Sequence, residues 1–363
     1  MYFGECRMVR MPQEVRLFDS LQHGQKVSGG GTLRSMSRVS FSHTYQDIIS
    51  VENLLAAWRE FVHGKRNKKD VREFQYRLMD NILTLHQDLQ NKTYIHGGYQ
   101  HFKITDPKPR DIHKATVRDR LVHHALYRKL YPFFDATFIA DSYSCRRGKG
   151  THRAMNRFRA FARKESRNHT KTVWVLKCDI KKFFASIDQQ TLLTTVSRYV
   201  VDMDIQDLLA KIVSSFNSGT AGVGLPLGNL TSQLLVNVYM NEFDQCVKRQ
   251  LKAKYYIRYA DDFVILSRDR EWLEQLLMHI RRFLLEEMRL MLHPKKVSIS
   301  TVATGIDFLG WVHFPDHRVL RTSTKRRMLK RVQGLEADSS AVLSYIGMLQ
   351  HGNAMKLRNT FLW

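Results

Sequence analysis

Two adjacent acidic residues, Asp261 and Asp262, stand between the apolar, β-prone segments KYYIRY and FVILS. Neighbouring carboxylates repel each other and lose hydration in an apolar setting, so they need a compensating cation. A further apolar segment, VWVLKCD, ends in Asp179. Carboxylate oxygens are hard ligands that suit Mg²⁺, with Mn²⁺ as a substitute. Two such ions about 4 Å apart hold the attacking and leaving oxygens of an in-line phosphoryl transfer.

Two neighbouring strands must bring these carboxylates together. The segments on either side of the Asp pair predict a β-hairpin with Asp261 and Asp262 at or beside its tip. VLKCD predicts an adjacent strand whose C-terminal end presents Asp179. The alternative is that the Asp pair is a solvated turn. The apolar flanks, the second Asp-ended strand and the net charge argue against that alternative.

The overall charge indicates a polyanionic partner. The 363 residues include 58 Lys and Arg against 34 Asp and Glu, a formal net charge of +24. An excess of this size costs self-repulsion and commonly serves nucleic-acid binding, which weakens as salt rises. No apolar run approaches the roughly 18 residues of a membrane span, and the N-terminus lacks a signal-peptide core. We therefore expect a cytoplasmic protein with no membrane partner.

Hydrophobic periodicity predicts helices and strands in irregular alternation, which is typical of an α+β fold. Residues 1–43 have little periodicity and predict a mobile basic tail. Ser50 is the expected N-cap of the first helix, and one further amphipathic helix should carry residues as far as Leu89. Strands are expected at 101–105 and around 306–313, and DPKPRD should form a turn after the first of them.

A series of short motifs in a fixed order resembles that of reverse transcriptases. A single YADD would be weak evidence, but the resemblance spans roughly residues 50–363, and its last motif looks like the thumb of the bacterial group II intron-related branch. The motifs are KPRDI at 108–112, RDRLVHHAL at 118–126, CDIKKFFASID at 178–188, LPLGNLTSQ at 225–233, YADD at 259–262, LHPKKV at 292–297, FLGW at 308–311 and SYIGMLQHGN at 344–353.

The resemblance implies an RNA-directed DNA polymerase with a right-hand fold of fingers, a palm built on an antiparallel sheet, and a helical thumb. After the tail at 1–43, the N-terminal helices and fingers would occupy 44–172. The palm, with residual fingers elements, would occupy 173–315, and the thumb 316–363. Asp179 and Asp261 would be the main ligands of two Mg²⁺ ions, and Asp262 an additional one.

The family's nucleotide-binding residues can be carried over one position at a time. Phe184 would lie under the sugar of the incoming dNTP and exclude a 2′-hydroxyl, whereas Phe183 is expected to pack in the core. Lys108 and Arg110 would hold the triphosphate, because fixed cations stabilise transferring phosphates; an ordinary solvated turn is the alternative for Lys108. Lys296 could approach the leaving pyrophosphate, although the adjacent Lys295 leaves that assignment open.

Two further groups complete the implied site. The primer grip would be formed by Phe308, Leu309, Gly310 and Trp311. The segment that contains Leu227, Gly228, Ser232 and Gln233 would contact the template and influence fidelity.

The sequence departs from most reverse transcriptases at Leu227, where they carry Gln, and at Ser232-Gln233, where they carry Ser-Pro. This pattern is similar to that of diversity-generating retroelement enzymes, which copy a template RNA and misincorporate opposite adenine. We hypothesise that Leu227 and Arg110 together set a low, adenine-biased fidelity, because Leu227 cannot hydrogen-bond near the nascent base pair. The alternative is that Leu227 merely packs in an accurate enzyme of a related branch.

The resemblance also implies partners. A template RNA and an RNA–DNA duplex would bind, with the basic helix expected at 323–332 following the duplex phosphates. A small, basic, oligomeric accessory variability protein is expected as well. Two alternatives remain open: a related reverse transcriptase acting in antiviral defence or group II intron mobility, and an inactive polymerase fold that only binds nucleic acid.

Overall fold

The structure is a computed structural model that describes residues 40–105, 109–336 and 339–359. Most of the predicted tail at 1–43 therefore lies outside the described residues, and so does Lys108. Near the start of the described residues, Phe41 is buried and its backbone N–H donates to the carbonyl of Tyr199 at 2.9 Å. No helix in these three ranges is long and apolar enough to cross a bilayer.

The described residues form thirteen α-helices. They are α1 (Tyr45–Ile49), α2 (Val51–Val62), α3 (Lys69–Tyr76), α4 (Leu78–Gln90), α5 (Val117–Thr137), α6 (Thr151–Glu165), α7 (Gln189–Ser197), α8 (Met203–Ser214), α9 (Leu230–Gln245), α10 (Arg270–Glu286), α11 (Thr322–Val332), α12 (Ser340–Leu349) and α13 (Met355–Asn359). Ser50 caps α2 as predicted, because its side chain accepts the N–H of Asn53 at 3.3 Å.

The amphipathic segment predicted as one helix as far as Leu89 is two helices, α3 and α4. The break lies at Arg77, whose backbone angles of φ −119° and ψ 48° are not helical. The side chain of Asn81 stabilises the break by donating to the carbonyl of Phe74 at 2.9 Å. That contact gives a partner to a carbonyl that a helix end would otherwise leave free.

The strands form antiparallel sheets, which confirms the predicted α+β class. They are β1 (Tyr99–Ile104), β2 (Arg110–Ala115), β3 (Trp174–Asp179), β4 (Tyr255–Tyr259), β5 (Asp262–Ser267), β6 (Ser298–Thr301), β7 (Ile306–Phe308), β8 (Trp311–His313) and β9 (Arg318–Leu320). β1 and β2 form a separate hairpin, with Ile104 opposite Arg110. The end of the predicted DPKPRD turn is thus the start of strand β2.

The central sheet has the order β4-β5-β3-β6. Alternation along β3 and β5 sends Leu176 and Phe263 into the large core that includes α9 and α10. Val175 and Val264 point to the other face, where they pack with residues of α6 and β7. The sheet is therefore covered on both faces, and its functional groups must lie at an edge or at the ends of strands.

A smaller sheet, β7-β8-β9, follows the central one. The segment predicted as one strand at 306–313 is a tight hairpin, because Phe308 pairs with Trp311 and leaves Leu309 and Gly310 as the turn. Both turn residues have left-handed backbones, with φ of 53° and 87°. A glycine at the second position makes this reversal possible within two residues.

Candidate active site

The predicted catalytic hairpin is β4–β5. Tyr259 pairs with Asp262, so Ala260 and Asp261 form a two-residue turn. Ala260 has φ 55°, a left-handed conformation that favours glycine in such turns. The carbonyl of Asp261 accepts the N–H of Ile180 at 3.1 Å, which ties the turn to the end of β3.

The end of β3 brings Asp179 directly opposite Asp262 in the antiparallel register. Residues opposite each other in such a pair share one face of the sheet, with Cβ atoms about 5 Å apart. Asp261 lies in the adjacent turn, next to Asp262 in the chain. The structure thus places the three predicted catalytic carboxylates at the ends of two neighbouring strands.

The electrostatics of these carboxylates reflect their crowding. Burial raises the pKa of Asp262 to about 7, with Asp261 and Asp179 adding to the rise and Lys177 opposing it. Burial, followed by the charge of Asp179, also raises the pKa of Asp261. Within the part of the chain that the structure describes, the buried Oδ1 of Asp262 has no hydrogen-bond partner.

Lys296 neutralises part of this charge. Its Nζ lies 2.8 and 2.9 Å from the two carboxylate oxygens of Asp179. The loop that carries it is fixed to the same strand end, because the N–H of His293 donates to the carbonyl of Asp179 at 2.7 Å. Lys296 is therefore the lysine of the pair 295–296 that reaches the carboxylates.

The donors at this site suit a divalent cation chemically, since they are carboxylate oxygens. Across 40–105, 109–336 and 339–359, however, no three His, Cys, Asp or Glu side chains form a group that could hold a metal ion. The ammonium of Lys296 is the cation that contacts Asp179. The unpaired oxygen of Asp262 and the raised pKa of Asp261 show that the protein balances the charge only in part.

Phe184 follows the end of β3 by five residues and contacts the next predicted motif. Its side chain is half-buried against the large core, while Phe183 is fully inside that core, as expected. The carbonyl of Phe184 accepts the N–H of Leu225 at 2.8 Å. Phe184 is therefore held next to the LPLGN segment.

The LPLGN segment is fastened to strand β2. The carbonyl of Leu227 accepts the N–H of His113 at 3.0 Å, and the side chain of Asn229 donates to the carbonyl of His113 at 3.0 Å. Gly228 has φ 108°, and a Cβ there would lie 2.9 Å from the Ile112 side chain. The side chain of Leu227 is half-buried.

The remaining residues of the predicted template segment start helix α9. Ser232 is buried and Gln233 is half-buried. Arg110 lies at the exposed start of β2, and its charge opposes, after that of Lys296, the rise in the pKa of Asp261. Lys108 lies outside the described residues.

The predicted primer grip is partly buried in this structure, and its role stays a prediction. Phe308 and Trp311 are 0% and 2% exposed, respectively. Phe308 packs with Phe158 and His313, with ring centroids 5.8 and 6.3 Å away. Leu309 and Gly310, the half-exposed turn residues, are the part of this group that is accessible.

Sequence reasoning missed two residues at the site. Asn229, which is 1% exposed, follows Gly228 and forms the bond to β2 described above. Lys177 lies two positions before Asp179, on the same face, and donates to the carbonyl of Asp307. The alternation of a strand was the available signal for Lys177, because residues two apart share a face.

Comparison with known proteins decides the family. Residues 103–313 match the family described as "Reverse transcriptase (RNA-dependent DNA polymerase)". The chain belongs to this family. The reverse transcriptase match spans the β4–β5 and β7–β8 hairpins, all three carboxylates and the LPLGN segment, and it places the chain among the RNA-dependent DNA polymerases. Polymerases commonly use two divalent metal ions.

Relatives among characterised proteins are distant. Protein YkfC of Escherichia coli K12 is 26% identical over 270 residues, which cover 64% of this chain and 69% of YkfC. Group II intron-encoded protein LtrA of Lactococcus lactis subsp. cremoris is 22% identical over 322 residues, 68% of this chain and 51% of LtrA. The reverse transcriptase described here thus spans about half the length of LtrA.

One solved structure with a related shape is apo telomerase from Candida tropicalis, truncated from its C-terminal domain. It has a TM-score of 0.46 and 11% identity, and it covers 67% of this chain and 60% of the telomerase chain.

Proposed function

We propose that this reverse transcriptase copies a template RNA into cDNA with Asp179, Asp261 and Asp262 as its catalytic carboxylates. The observation that carries the proposal is the register of β3 and β5, which sets Asp179 opposite Asp262 with Asp261 in the adjoining turn. These carboxylates would hold two Mg²⁺ ions, or Mn²⁺ as a substitute. When bound, the ions supply positive charge to the reacting phosphoryl oxygens.

The chain's own side chains would position the dNTP. Lys296, beside Asp179, and Arg110, whose charge reaches Asp261, are fixed cations suited to a triphosphate. Phe184, half-buried next to the same strand end, would exclude a 2′-hydroxyl and so select dNTP over rNTP. Lys108 retains its predicted role as a further triphosphate ligand.

Extension of an oligo(dT) primer on poly(rA) with Mg²⁺ tests this function. We expect extension by the wild-type protein and none by Asp261→Ala, because the turn would lose its catalytic carboxylate. Glu271→Ala, which removes an exposed acid from α10, is the matched control and should extend normally. Equal extension by Asp261→Ala and the control would refute the proposed site, and an inactive wild-type protein would favour the inert nucleic-acid-binding alternative.

We also propose that copying is error-prone at template adenines, in the service of mutagenic retrohoming. Leu227 supports this proposal, because its backbone is fastened to β2 while its half-buried apolar side chain offers no hydrogen bond to a base pair. Gly228, Ser232 and Gln233 would complete the contact with the template. LtrA is described as group II intron-encoded, which keeps intron mobility as the competing role for a related branch.

Sequencing of primer-extension products tests the fidelity proposal. Leu227→Gln should lower misincorporation opposite adenine, because its amide can hydrogen-bond near the nascent pair. Leu227→Met is the matched control and should keep the wild-type error spectrum, since it preserves size and polarity. The same adenine error rate in all three proteins would exclude Leu227 as its cause.

The net positive charge of the chain supports binding to nucleic acids. Helix α11 carries the sequence TSTKRRMLKRV and would follow the phosphates of the RNA–DNA duplex. Binding of the duplex should therefore weaken steeply with salt. A small, basic, oligomeric accessory protein is the proposed protein partner. A pull-down with the protein encoded by the neighbouring accessory gene tests this proposal.

A further inference from the structure

Arg258 is a fully buried arginine on β4, three residues before Asp261. Its guanidinium forms a two-pronged ion pair with Asp244 of α9, with Nε 2.8 Å from Oδ1 and Nη2 2.7 Å from Oδ2. Asp244 is also fully buried. The hydroxyl of Tyr256 donates to the same carboxylate at 2.6 Å.

The other N–H groups of Arg258 reach beyond this ion pair. Nη2 donates to Oγ of Ser142 at 3.1 Å. Nη1 donates to Oδ1 of Asn237 at 3.2 Å and to the carbonyl of Ala260 at 3.2 Å. The last contact is with the turn itself, because Ala260 is the residue immediately before Asp261.

The backbone of Arg258 is fixed on its outer side as well. Its N–H donates to the carbonyl of Asp141 at 3.0 Å, and its carbonyl accepts the N–H of Tyr143 at 3.0 Å. The strand that ends at the turn is therefore bound to β5 on one edge and to the 141–143 segment on the other. The guanidinium links this fixed part of β4 to the carbonyl of Ala260.

Stability alone does not account for this arrangement. A buried ion pair can often be replaced by apolar side chains without loss of stability, because removing two charges from water costs about as much as their attraction returns. The planar fork of arginine can instead satisfy several acceptors in fixed directions. One of those directions is used to hold a left-handed residue in the turn that carries Asp261.

We propose that Arg258 is a positioning residue, which holds Asp261 in its working orientation through the carbonyl of Ala260. The inference rests on the proposed function, since it assumes that Asp261 is catalytic. Arg258 does not touch substrate in this arrangement. Its effect is on the placement of the carboxylate, and small errors in placement reduce rate strongly.

Arg258→Lys is the direct test. Lysine keeps the positive charge beside Asp244, but a single ammonium cannot reproduce the fork that also reaches Ala260. We expect kcat for primer extension to fall by about 10- to 100-fold. The KM for primer–template should change little, and the Mg²⁺ concentration for half-maximal rate should rise.

Tyr256→Phe is the matched control. It removes the other side-chain hydrogen bond to Asp244 described above and leaves the contact with the turn intact. We expect this variant to lose thermal stability while keeping the wild-type kcat and Mg²⁺ dependence. If Tyr256→Phe and Arg258→Lys reduce kcat equally, the role in positioning is overturned and the network serves stability only.

The paired variant Asp244→Leu with Arg258→Met covers the case in which Arg258→Lys does not fold. It removes both charges together, and its low kcat in a folded protein would support the proposal. Wild-type kcat in this variant would overturn it. Failure of both variants to fold, while Tyr256→Phe folds, would also overturn it by assigning the pair to stability.

These outcomes are separate from failure of the proposed function. If the wild-type protein does not extend a primer, or if Asp261→Ala extends normally, the catalytic assignment itself is wrong. If the wild-type protein is active and Asp261→Ala is not, the kcat and Mg²⁺ dependence of Arg258→Lys decide on Arg258 alone.

Discussion

The β4–β5 and β7–β8 hairpins both reverse the chain within two residues, but their turns have different backbone conformations and different supporting neighbours. Each has a two-residue turn that begins with a left-handed residue other than glycine, Ala260 with φ 55° and Leu309 with φ 53°. Behind Ala260 stands a buried arginine that donates to the turn's carbonyl. The side chain of Leu309 packs against two apolar clusters.

Apolar packing supports the β7–β8 hairpin, together with a hydrogen bond from the N–H of Arg321 to the carbonyl of Gly310 at 3.1 Å. Trp311 lies in an apolar cluster with Met155, Met328 and Leu349, which joins the hairpin to the predicted thumb. Gly352 is so close that a Cβ there would overlap the Trp311 ring. Hydrogen bonds constrain the direction of the groups that form them, whereas close packing constrains the volume available to a side chain. The two turns thus differ in which group of an arginine they contact: the guanidinium of Arg258 at Ala260 and the backbone N–H of Arg321 at Gly310.

The largest expected effect is at the ion pair behind the first hairpin. Asp244→Ala leaves Arg258 buried and unpaired, which should lower the free energy of unfolding by about 3–5 kcal/mol. Denaturant unfolding measures the loss. Glu274→Ala, which removes the partner of Arg270 in a half-exposed pair, is the control and should cost less than about 1 kcal/mol. Similar losses in both variants would contradict the special role of the buried pair.

Stability at the second hairpin, β7–β8, should depend on side-chain volume instead of charge. Gly352→Ala forces a methyl group against Trp311 and should lower the free energy of unfolding by about 1–3 kcal/mol. Gly347→Ala, in helix α12, is the control, because no atom lies within 4 Å of the added Cβ. That variant should be neutral or more stable, since alanine favours a helix. The reverse order of stability would exclude close packing at Gly352.

The hairpins should also differ in their response to pH. Burial, with Arg318 nearby, lowers the pKa of His313 in β8 to about 4. Because the unfolded chain binds this proton at a pKa of about 6.5 and the folded chain does not, stability present above pH 6.5 is lost as the pH falls toward 4.

The expected loss from His313 is about 1.4 kcal/mol per pH unit in that window. His313→Gln should remove this part of the pH dependence, as measured by denaturant unfolding at several pH values. The first hairpin should not lose stability as the pH falls, because Arg258 stays charged throughout this range and the raised pKa of Asp262, about 7, acts in the opposite direction. An unchanged slope in His313→Gln would show that the histidine is not buried and neutral.

The smallest expected change in stability comes from replacing the left-handed residues of the two turns. Ala260→Gly should raise the free energy of unfolding by about 1 kcal/mol or less, because glycine adopts the left-handed region without strain. Leu309→Gly relieves the same strain but loses a side chain that packs against two apolar clusters, so it should be destabilising. Thermal unfolding of the two variants measures the difference, and stabilisation in both would show that Leu309 contributes little packing.

Local patterns were sufficient for much of the fold and for the main carboxylates. The hairpin around Asp261 and the strand ending in Asp179 were predictable because alternation and turn length are local properties. Their register was not, since it depends on pairing between distant segments. The break at Arg77 had no glycine or proline to mark it.

Other features depend on tertiary contacts that no spacing reveals. Arg258 and Asp244 are 14 residues apart and on different elements, and an arginine in an alternating strand normally indicates a solvent face. The sequence places the four residues of the predicted primer grip side by side, but it does not show which side chains are exposed. Pairing across the turn sends Phe308 and Trp311 inward.

Lys296 acts as a tethered competitor at the carboxylate it neutralises. Its ammonium is attached to the same strand end through the His293 backbone, so its effective concentration at Asp179 stays high at any dilution of the protein. In the proposed function, a Mg²⁺ ion that used both oxygens of Asp179 would compete with this lysine. A displaced ammonium would stay within a side chain's length of the carboxylates, where the triphosphate is proposed to bind.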